Sequence, residues 1–416
     1  MRKIYTSIEI ANDTIRILVC EYFLNKYRVL AVSSVKSKGI KNGEIIDDQA
    51  LRQRINIAIE DIKNRIDVTI KKVILIVPPI NCEYNLAHGN IPIISDDKTV
   101  TYKDMVKVIN CVTKEIVPNM ELINVMPIDF SIYENGSLIE TTKNPVDKMC
   151  DRLSVRAMLI TSPKTQIIPY LKLAESCNLE VVDLALSPIC DYEEIKNDDL
   201  SSKITAVINI GKEQMNLSIF NKGIITNSAT IKKGSKIIDD DISYVYNLSR
   251  KTAKKIKENF SVAHMKFASK NDTYEVLDTN DKIVSINQYE VSKIVNKRLV
   301  ELLNISKNEL KVLTNKQISY IMVLGGITDI PAFKDVILDV YGTNADTYSL
   351  NILGIRKSRY ITLIGAIKYF VEKINLRKKQ YSMFSSDDVY NMTHIKNKNN
   401  KSDSVFGKIL GYFFDN

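Results

Sequence analysis

The sequence has few histidines, and its cysteines are not spaced for metal binding. Only three histidines occur, and the six cysteines include no pair with the CxxC spacing of zinc sites and redox motifs. No apolar run approaches the roughly 20 residues that cross a bilayer. At the start of the chain, Glu9 and Asp13 precede any apolar stretch of signal-peptide length. We therefore expect a cytoplasmic protein with reduced thiols, neither exported nor membrane-spanning.

The common catalytic motifs are also missing. The sequence contains no GxSxG, HExxH, Walker A or GxGxxG pattern. Its formal charge of +9 comes from 58 basic and 49 acidic residues that are mixed along the chain. The lysines of 251–257 have no interleaved aromatic residues, so we interpret them as a solvated helix face. We expect no nucleic-acid partner.

The pattern of apolar residues predicts a soluble α/β chain with two related halves. Its 416 residues exceed what one core usually organises, which indicates two or more subdomains. Alternating residues at 5–10, 15–21 and 27–35 predict a meander of three strands. A similar strand-and-turn pattern returns at 203–220, around Gly211. This echo predicts two halves around a cleft.

The carboxyl end combines a polar stretch with an apolar one. Residues 376–403 are rich in Lys, Asn, Ser and Asp, which predicts a disordered linker. The last 13 residues, 404–416, predict an amphipathic helix too short to span a bilayer, which would lie among lipid headgroups. The alternative is a terminal helix docked on its own body. The predicted membrane-binding residues are Val405, Phe406, Lys408, Ile409, Leu410, Phe413 and Phe414.

Three turns after predicted strands, two of them with glycine, suggest a nucleotide cleft of the actin and sugar-kinase kind. In such folds, turns after two strands let backbone N–H groups approach phosphates, and a Gly-Gly turn lies under the adenosine. Gly325 and Gly326 follow a predicted buried strand, and Glu9 and Gly211 match parts of the other two turns. The alternative is that a Gly-Gly turn after a strand serves chain topology alone.

Taken in order, these motifs resemble the bacterial division protein family FtsA. The similar segments include 126–127, Asn144-Pro145-Val146, 159–161, 207–211 and 324–326, followed by the amphipathic end. The resemblance covers the whole chain. It implies an α/β fold, namely the two-lobed ATPase fold of actin and heat-shock chaperones with an inserted α+β subdomain and the C-terminal amphipathic helix.

The resemblance also implies how the chain is divided. Two lobes enclose the cleft, and the inserted subdomain interrupts the first. The expected parts are 1–82 and 162–200 for the first lobe, 83–161 for the inserted subdomain, 201–375 for the second lobe with a filament-binding subdomain at about 234–313, 376–403 for the linker and 404–416 for the membrane-targeting helix.

The function implied by the resemblance is that of a cell-division scaffold. FtsA proteins bind the tubulin-like FtsZ, polymerise head to tail and act at the cytoplasmic side of the cell membrane at the division site. We therefore expect four partners: FtsZ, an anionic membrane surface, further copies of the chain and other divisome proteins. Within the filament-binding subdomain, Arg298 is equally compatible with a partner contact and with helix packing.

The chain departs from the family in the cleft. Ala11-Asn12-Asp13-Thr14 stands where the family has Gly-Thr, a small residue and Lys, and Asn216 replaces an Asp. A glycine is lost and an anion is gained, which restricts backbone approach and repels phosphate. We expect ATP binding to be weak or lost, Mg²⁺ to bind only with nucleotide and hydrolysis to be absent; the alternative is ATP bound in another pose. The candidate cofactor-binding residues are Glu9, Asn12, Asn209, Gly211, Lys212, Lys257, Gly325 and Gly326.

Two other functions remain open at this point. An actin-like pilus-assembly protein would share the fold but generally lacks the linker and terminal amphipathic helix. A sugar-kinase-like phosphotransferase would need a catalytic carboxylate and an intact metal site. Asn209 and Asn216 count against the phosphotransferase.

Overall fold

The computed structural model describes residues 2–377 and 380–393. The first elements form a five-stranded sheet with strand order β11-β6-β1-β2-β3. β1 lies at its centre, antiparallel to β2 and parallel to β6, and Ile4 and Ile8 on β1 are fully buried. The elements up to β6 are β1 (Lys3–Ile10), β2 (Thr14–Phe23), β3 (Lys26–Lys36), β4 (Ile40–Lys41), β5 (Glu44–Ile45), α1 (Asp48–Ile66) and β6 (Lys72–Val77).

The α+β module expected at 83–161 is a separate antiparallel sheet with its own core. Its strand order is β7-β10-β8-β9, and α2 packs on it. Thr101 caps α2 by accepting the N–H of Asp104, whose carboxylate accepts the N–H of Thr101 in return. The elements are β7 (Glu83–Pro92), α2 (Tyr102–Cys111), β8 (Met120–Glu134), β9 (Ser137–Thr142) and β10 (Arg152–Pro163).

The chain then returns to the first lobe before crossing to the second. β11 pairs in parallel with β6, and α4 continues directly from it into the same core. α4 also contacts the first strand of the second lobe and therefore lies where the two lobes meet. The elements are α3 (Lys164–Ser176), β11 (Glu180–Leu186) and α4 (Ser187–Ile195).

The second lobe repeats the meander of the first, as the sequence echo predicts. Its sheet order is β14-β13-β12-β17-β18, with β12 antiparallel to β13 and parallel to β17. A separate hairpin of β15 and β16 precedes the long α7. The elements are β12 (Ile204–Ile210), β13 (Met215–Asn221), β14 (Ile224–Ile231), α5 (Lys236–Val245), α6 (Arg250–Asn259), β15 (Thr273–Leu277), β16 (Ile283–Asn287), α7 (Gln288–Leu313), β17 (Tyr320–Leu324), α8 (Phe333–Tyr341) and β18 (Ala345–Thr347).

Two features at the end of the described chain differ from the sequence prediction. α9 (Ile361–Leu376), expected in the second lobe, packs on β1 and α4 in the core of the first. Residues 380–393, expected within a disordered linker, also pack on the first lobe and include α10 (Ser386–Thr393). The reason is apolar burial, because Met383 and Phe384 are 6% and 9% exposed.

None of the helices in the described ranges is long and apolar enough to cross a membrane.

Candidate functional site

The eight predicted cofactor-binding residues all line one cavity between the lobes. Its volume is about 170 Å³. The turns that follow β1, β12 and β17 converge there because these strands lie near the centres of the two sheets and end at the cleft. The predicted residues brought together are Glu9, Asn12, Asn209, Gly211, Lys212, Lys257, Gly325 and Gly326.

The turn after β1 is bonded to the second lobe by Asn12. The Asn12 Nδ2 donates to Gln214 Oε1 at 3.1 Å, which joins the first turn of one lobe to the first turn of the other. Its Oδ1 accepts the backbone N–H of Gly43 at 2.7 Å. Both polar atoms of Asn12 are therefore engaged by the protein itself.

Arg16 lies in the cleft beside this turn and is not among the residues predicted from the sequence. It lies directly opposite Glu9 in the β1–β2 register, with its Nη1 2.7 Å from Glu9 Oε2. Its Nη2 is 3.9 Å from Asp13 Oδ1. Burial alone would lower the pKa of Arg16, but the carboxylates of Glu9 and Asp13 raise it above its ordinary value. The signal available in the sequence was the cross-strand pairing of an acid with a base.

The second turn is held by a buried carboxyl group. Asn209 Nδ2 donates to Asp191 Oδ2 at 2.7 Å, and the Thr362 hydroxyl lies 2.6 Å from Asp191 Oδ1. Burial raises the pKa of Asp191 to about 7 although both hydrogen bonds act against it. Asp191 lies on α4, so sequence spacing alone could not place it against β12. A few residues on, Asn216 accepts a bond from Thr230 Oγ1 at 3.0 Å.

Lys257 forms an ion pair with Asp239 rather than standing free in the cleft. The Lys257 Nζ is 2.6 Å from Asp239 Oδ1, and the two side chains are 3% and 4% exposed. Burial raises the pKa of Asp239, although the charge of Lys257 lowers it in part. The charge of Lys257 is thus largely neutralised by α5 before any ligand is considered.

The two glycines after β17 have different roles. Gly325 has a φ of +110°, and a Cβ built on it would lie 2.3 Å from the carbonyl oxygen of Ile210. A Cβ on Gly326 would meet only an ordinary contact at 3.8 Å. Gly325 is therefore required by the crossing of β12 and the turn after β17, whatever the cleft holds.

Comparison with known proteins connects this fold to bacterial cell division. The family model "Cell division protein FtsA" matches residues 206–365. FtsA of Enterococcus hirae is 25% identical over 88% of this chain and 82% of its own length. FtsA of Bacillus subtilis is 26% identical over 88% of this chain and 83% of its own.

The resemblance to FtsA is confirmed. Structural neighbours confirm the actin-like fold as well. A PilM–PilN type IV pilus biogenesis complex contains a chain with a TM-score of 0.56 and 13% identity, covering 88% of this chain and 98% of that one. MreB5 of Spiroplasma citri, in a structure bound to ADP, has a TM-score of 0.52 and 14% identity, covering 91% and 99%.

In the expected filament-binding region of this FtsA-like chain, Arg298 joins two helices. Its guanidinium donates to both oxygens of Asp241 on α5, at 2.5 and 3.2 Å. It also donates to Glu301 on its own helix at 2.6 Å. These bonds raise the pKa of Arg298 and give it a helix-packing role.

The residues that carry the predicted membrane contact of the FtsA-like chain lie outside the described residues. They are Val405, Phe406, Lys408, Ile409, Leu410, Phe413 and Phe414.

Proposed function

We propose that this protein is a cell-division scaffold that tethers FtsZ filaments to the inner face of the cytoplasmic membrane and recruits later division proteins. The observation that carries the proposal is the similarity to FtsA proteins along 88% of the chain. The apolar stripe in the C-terminal sequence supports it independently. The scaffold acts at the division site and forms head-to-tail polymers.

Membrane attachment resides in 404–416. As a helix, this segment would align Val405, Ile409 and Phe413 on one face, while Gly411 would lie on the opposite face. A single short amphipathic helix gives modest affinity for anionic lipid. Stable attachment therefore requires several copies along a polymer, whose tails bind the same surface with avidity.

The cleft binds ATP weakly or not at all, and the protein is not an enzyme. A cavity of about 170 Å³ is smaller than the roughly 300–1,000 Å³ typical of ligand pockets. Asn12 occupies the first turn and Arg16 lies beside it, while Glu9 and Asp13 together carry one negative charge more than Arg16 neutralises where phosphate would approach. Mg²⁺ would enter only with nucleotide.

The phosphotransferase function is disfavoured by the state of the cleft carboxyl groups. Such an enzyme needs a carboxylate that can accept a proton from the substrate hydroxyl. Glu9 and Asp239 line the cleft and are ion-paired with Arg16 and Lys257. Asp191 is buried next to the cleft, and its two oxygens accept hydrogen bonds from Asn209 and Thr362. The pilus-assembly function remains the nearer alternative because the fold alone supports it.

Co-sedimentation with anionic vesicles tests the membrane step. The full chain should pellet with vesicles, and a chain truncated after Lys401 should stay in the supernatant. Phe413→Asp, which places a charge in the apolar stripe, should reduce pelleting at least tenfold. Its matched control, Gly411→Asp, adds the same charge on the opposite face and should pellet like the unaltered chain. Equal pelleting of the full and truncated chains would remove the membrane tether.

A further inference from the structure

The chain beyond α9 is hydrogen-bonded to the central strand of the first lobe. The hydroxyl of Tyr5 donates to the carbonyl oxygen of Tyr381 at 2.9 Å. The backbone N–H of Ile4 donates to the hydroxyl of Ser382 at 3.2 Å, and the N–H of Met383 donates to the carbonyl oxygen of Ile4 at 3.0 Å. Three consecutive residues are therefore fixed on β1.

Apolar contacts reinforce these bonds. Met383 and Phe384 are 6% and 9% exposed and belong to the core of the first lobe. The rings of Phe370 and Tyr381 meet edge to face at a centroid distance of 5.9 Å, and Tyr5 meets Phe370 in the same way at 5.8 Å. Burial of these two large apolar side chains stabilises the docked segment.

α10 continues the docking. Val389 and Met392 pack against the same core, whereas Tyr390 on the outer side is 62% exposed. Ser385 stabilises the start of the helix, because its hydroxyl accepts the N–H of Asp388 at 3.2 Å. The chain is therefore held to the first lobe over most of the stretch from 381 to 392.

We propose that residues 381–392 form a C-terminal clamp that fixes the point where the membrane-binding tail leaves the body. This inference rests on the proposed membrane function and adds its geometry. The 11 residues 393–403 then separate the clamp from the amphipathic segment. Whatever their conformation, 11 residues span at most roughly 40 Å, whereas a free linker over 376–403 could span roughly 95 Å.

The clamp limits both the height and the orientation of the body above the membrane. The first lobe stays within a few tens of ångströms of the lipid, with the side that carries the clamp nearest the bilayer. A short connection between clamp and tail also raises the effective concentration of each tail at the membrane surface to which the tails of neighbouring copies in a polymer are bound.

Two insertions of the same length distinguish a clamp from a free linker. One variant carries twenty Gly/Ser residues between Lys378 and Lys379, before the clamp, and the other carries them after Asn400, beyond it. Cryo-electron microscopy of anionic vesicles then measures the gap between body and bilayer. We expect the second insertion to widen the gap by roughly 10–15 Å, from the chain-length dependence of a flexible linker, and the first to leave it unchanged. An equal widening of the gap by both insertions would overturn the clamp proposal.

A release variant supplies the complementary test. Met383→Asp combined with Phe384→Asp should undock the segment, so the insertion before the clamp should now widen the gap as well. Asn391→Ser on the exposed side of α10 should leave the gap as in the unaltered chain. If the double variant fails to fold, the two insertions in the unaltered chain still distinguish a clamp from a free linker.

Hydrogen exchange of the full chain in solution separates this inference from the membrane proposal. The amide of Met383, which is bonded to Ile4, should exchange at least a hundredfold more slowly than an unprotected amide. Exchange at the unprotected rate would overturn the clamp. A protected amide in a protein that does not bind vesicles would instead keep the clamp and remove the proposed membrane function.

Discussion

Lys257 and Asp239 form a buried ion pair in the wall of the cleft. Both side chains are nearly inaccessible and 2.6 Å apart. Removing one partner leaves the other charge buried without compensation, so Lys257→Met should lower the free energy of unfolding by about 3–5 kcal/mol. Urea denaturation followed by circular dichroism measures the loss. The control is Lys255→Met on the exposed side of the same helix, which should change the midpoint little.

The double variant Asp239→Leu with Lys257→Met sharpens the first prediction. Replacing both charges with apolar groups removes the unpaired carboxyl, so much of the lost stability should return. A double variant that is as unstable as the sum of the two single variants would contradict the ion-pair explanation.

The raised pKa of the buried Asp191 carboxyl group predicts that the stability of the fold depends on pH. Its pKa is raised from 3.8 to about 7 in the folded protein, mainly by burial. The folded state therefore holds a proton that the unfolded state releases above about pH 4, and this contribution to stability falls as the pH rises towards about 7. In Asp191→Asn the decline between these pH values should be smaller. Urea midpoints measured across that range check it, and identical pH profiles would show that Asp191 does not titrate there.

At the scale of the elements, the turn after β17 offers a matched pair of substitutions. Gly325→Ala forces a Cβ against the carbonyl oxygen of Ile210 at a positive φ, so it should lower the melting temperature by several degrees. Gly326→Ala makes only an ordinary van der Waals contact with the Arg359 Cβ, 3.8 Å away, and should be almost neutral. Differential scanning calorimetry compares the two, and an equal effect would mean that the backbone relaxes around Gly325.

The turn between β1 and β2 tests the nucleotide hypothesis. Ala11→Gly combined with Asp13→Ala restores backbone freedom and removes a negative charge, so ATP affinity should increase by at least tenfold. Isothermal titration calorimetry with Mg²⁺ and ATP provides the measurement, and Asp48→Ala on the exposed start of α1 controls for the loss of one charge. Micromolar, magnesium-dependent binding by the unaltered chain would contradict the proposal that the cleft is degenerate.

The elements that local patterns specify could be predicted, and those that depend on distant contacts could not. The β1–β3 meander and the module at 83–161 follow from alternation and turn residues in the sequence. The packing of α9 on the first lobe and the docking of Met383 on β1 depend on contacts hundreds of residues apart. Composition alone made 376–403 resemble a linker because most of its residues are polar. The burial of Met383 and Phe384 nevertheless docks the described part of this stretch on the first lobe.

The same distinction applies to the cleft. Its eight predicted residues line one cavity. Most of them could be predicted because turns after buried strands can be recognised in the sequence. Arg16 was missed because its role depends on strand register, and Asp191 was missed because it reaches β12 only when the lobes meet. Side-chain pairs that depend on strand register or on contacts between lobes are harder to predict than the turns between strands.

On the scale of the whole molecule, hydrogen bonds join the two lobes across the cleft. Asn12 and Gln214 bond across the cleft mouth, and Tyr84 of the inserted sheet lies 2.5 Å from Ser228 of the second lobe. These contacts join the two lobes through protein groups. They are compatible with the proposed scaffold, which would depend on polymer and membrane contacts rather than on an ATP cycle.

Vesicle recruitment of FtsZ filaments tests the tethering role directly. Polymerised FtsZ is mixed with anionic vesicles, alone or with the full chain, the chain truncated after Lys401 or Gly411→Asp, and the vesicles are floated on a density gradient. FtsZ should float with the vesicles only when the full chain or Gly411→Asp is present. Flotation of FtsZ with the truncated chain, or none with the full chain, would contradict the role proposed for this protein.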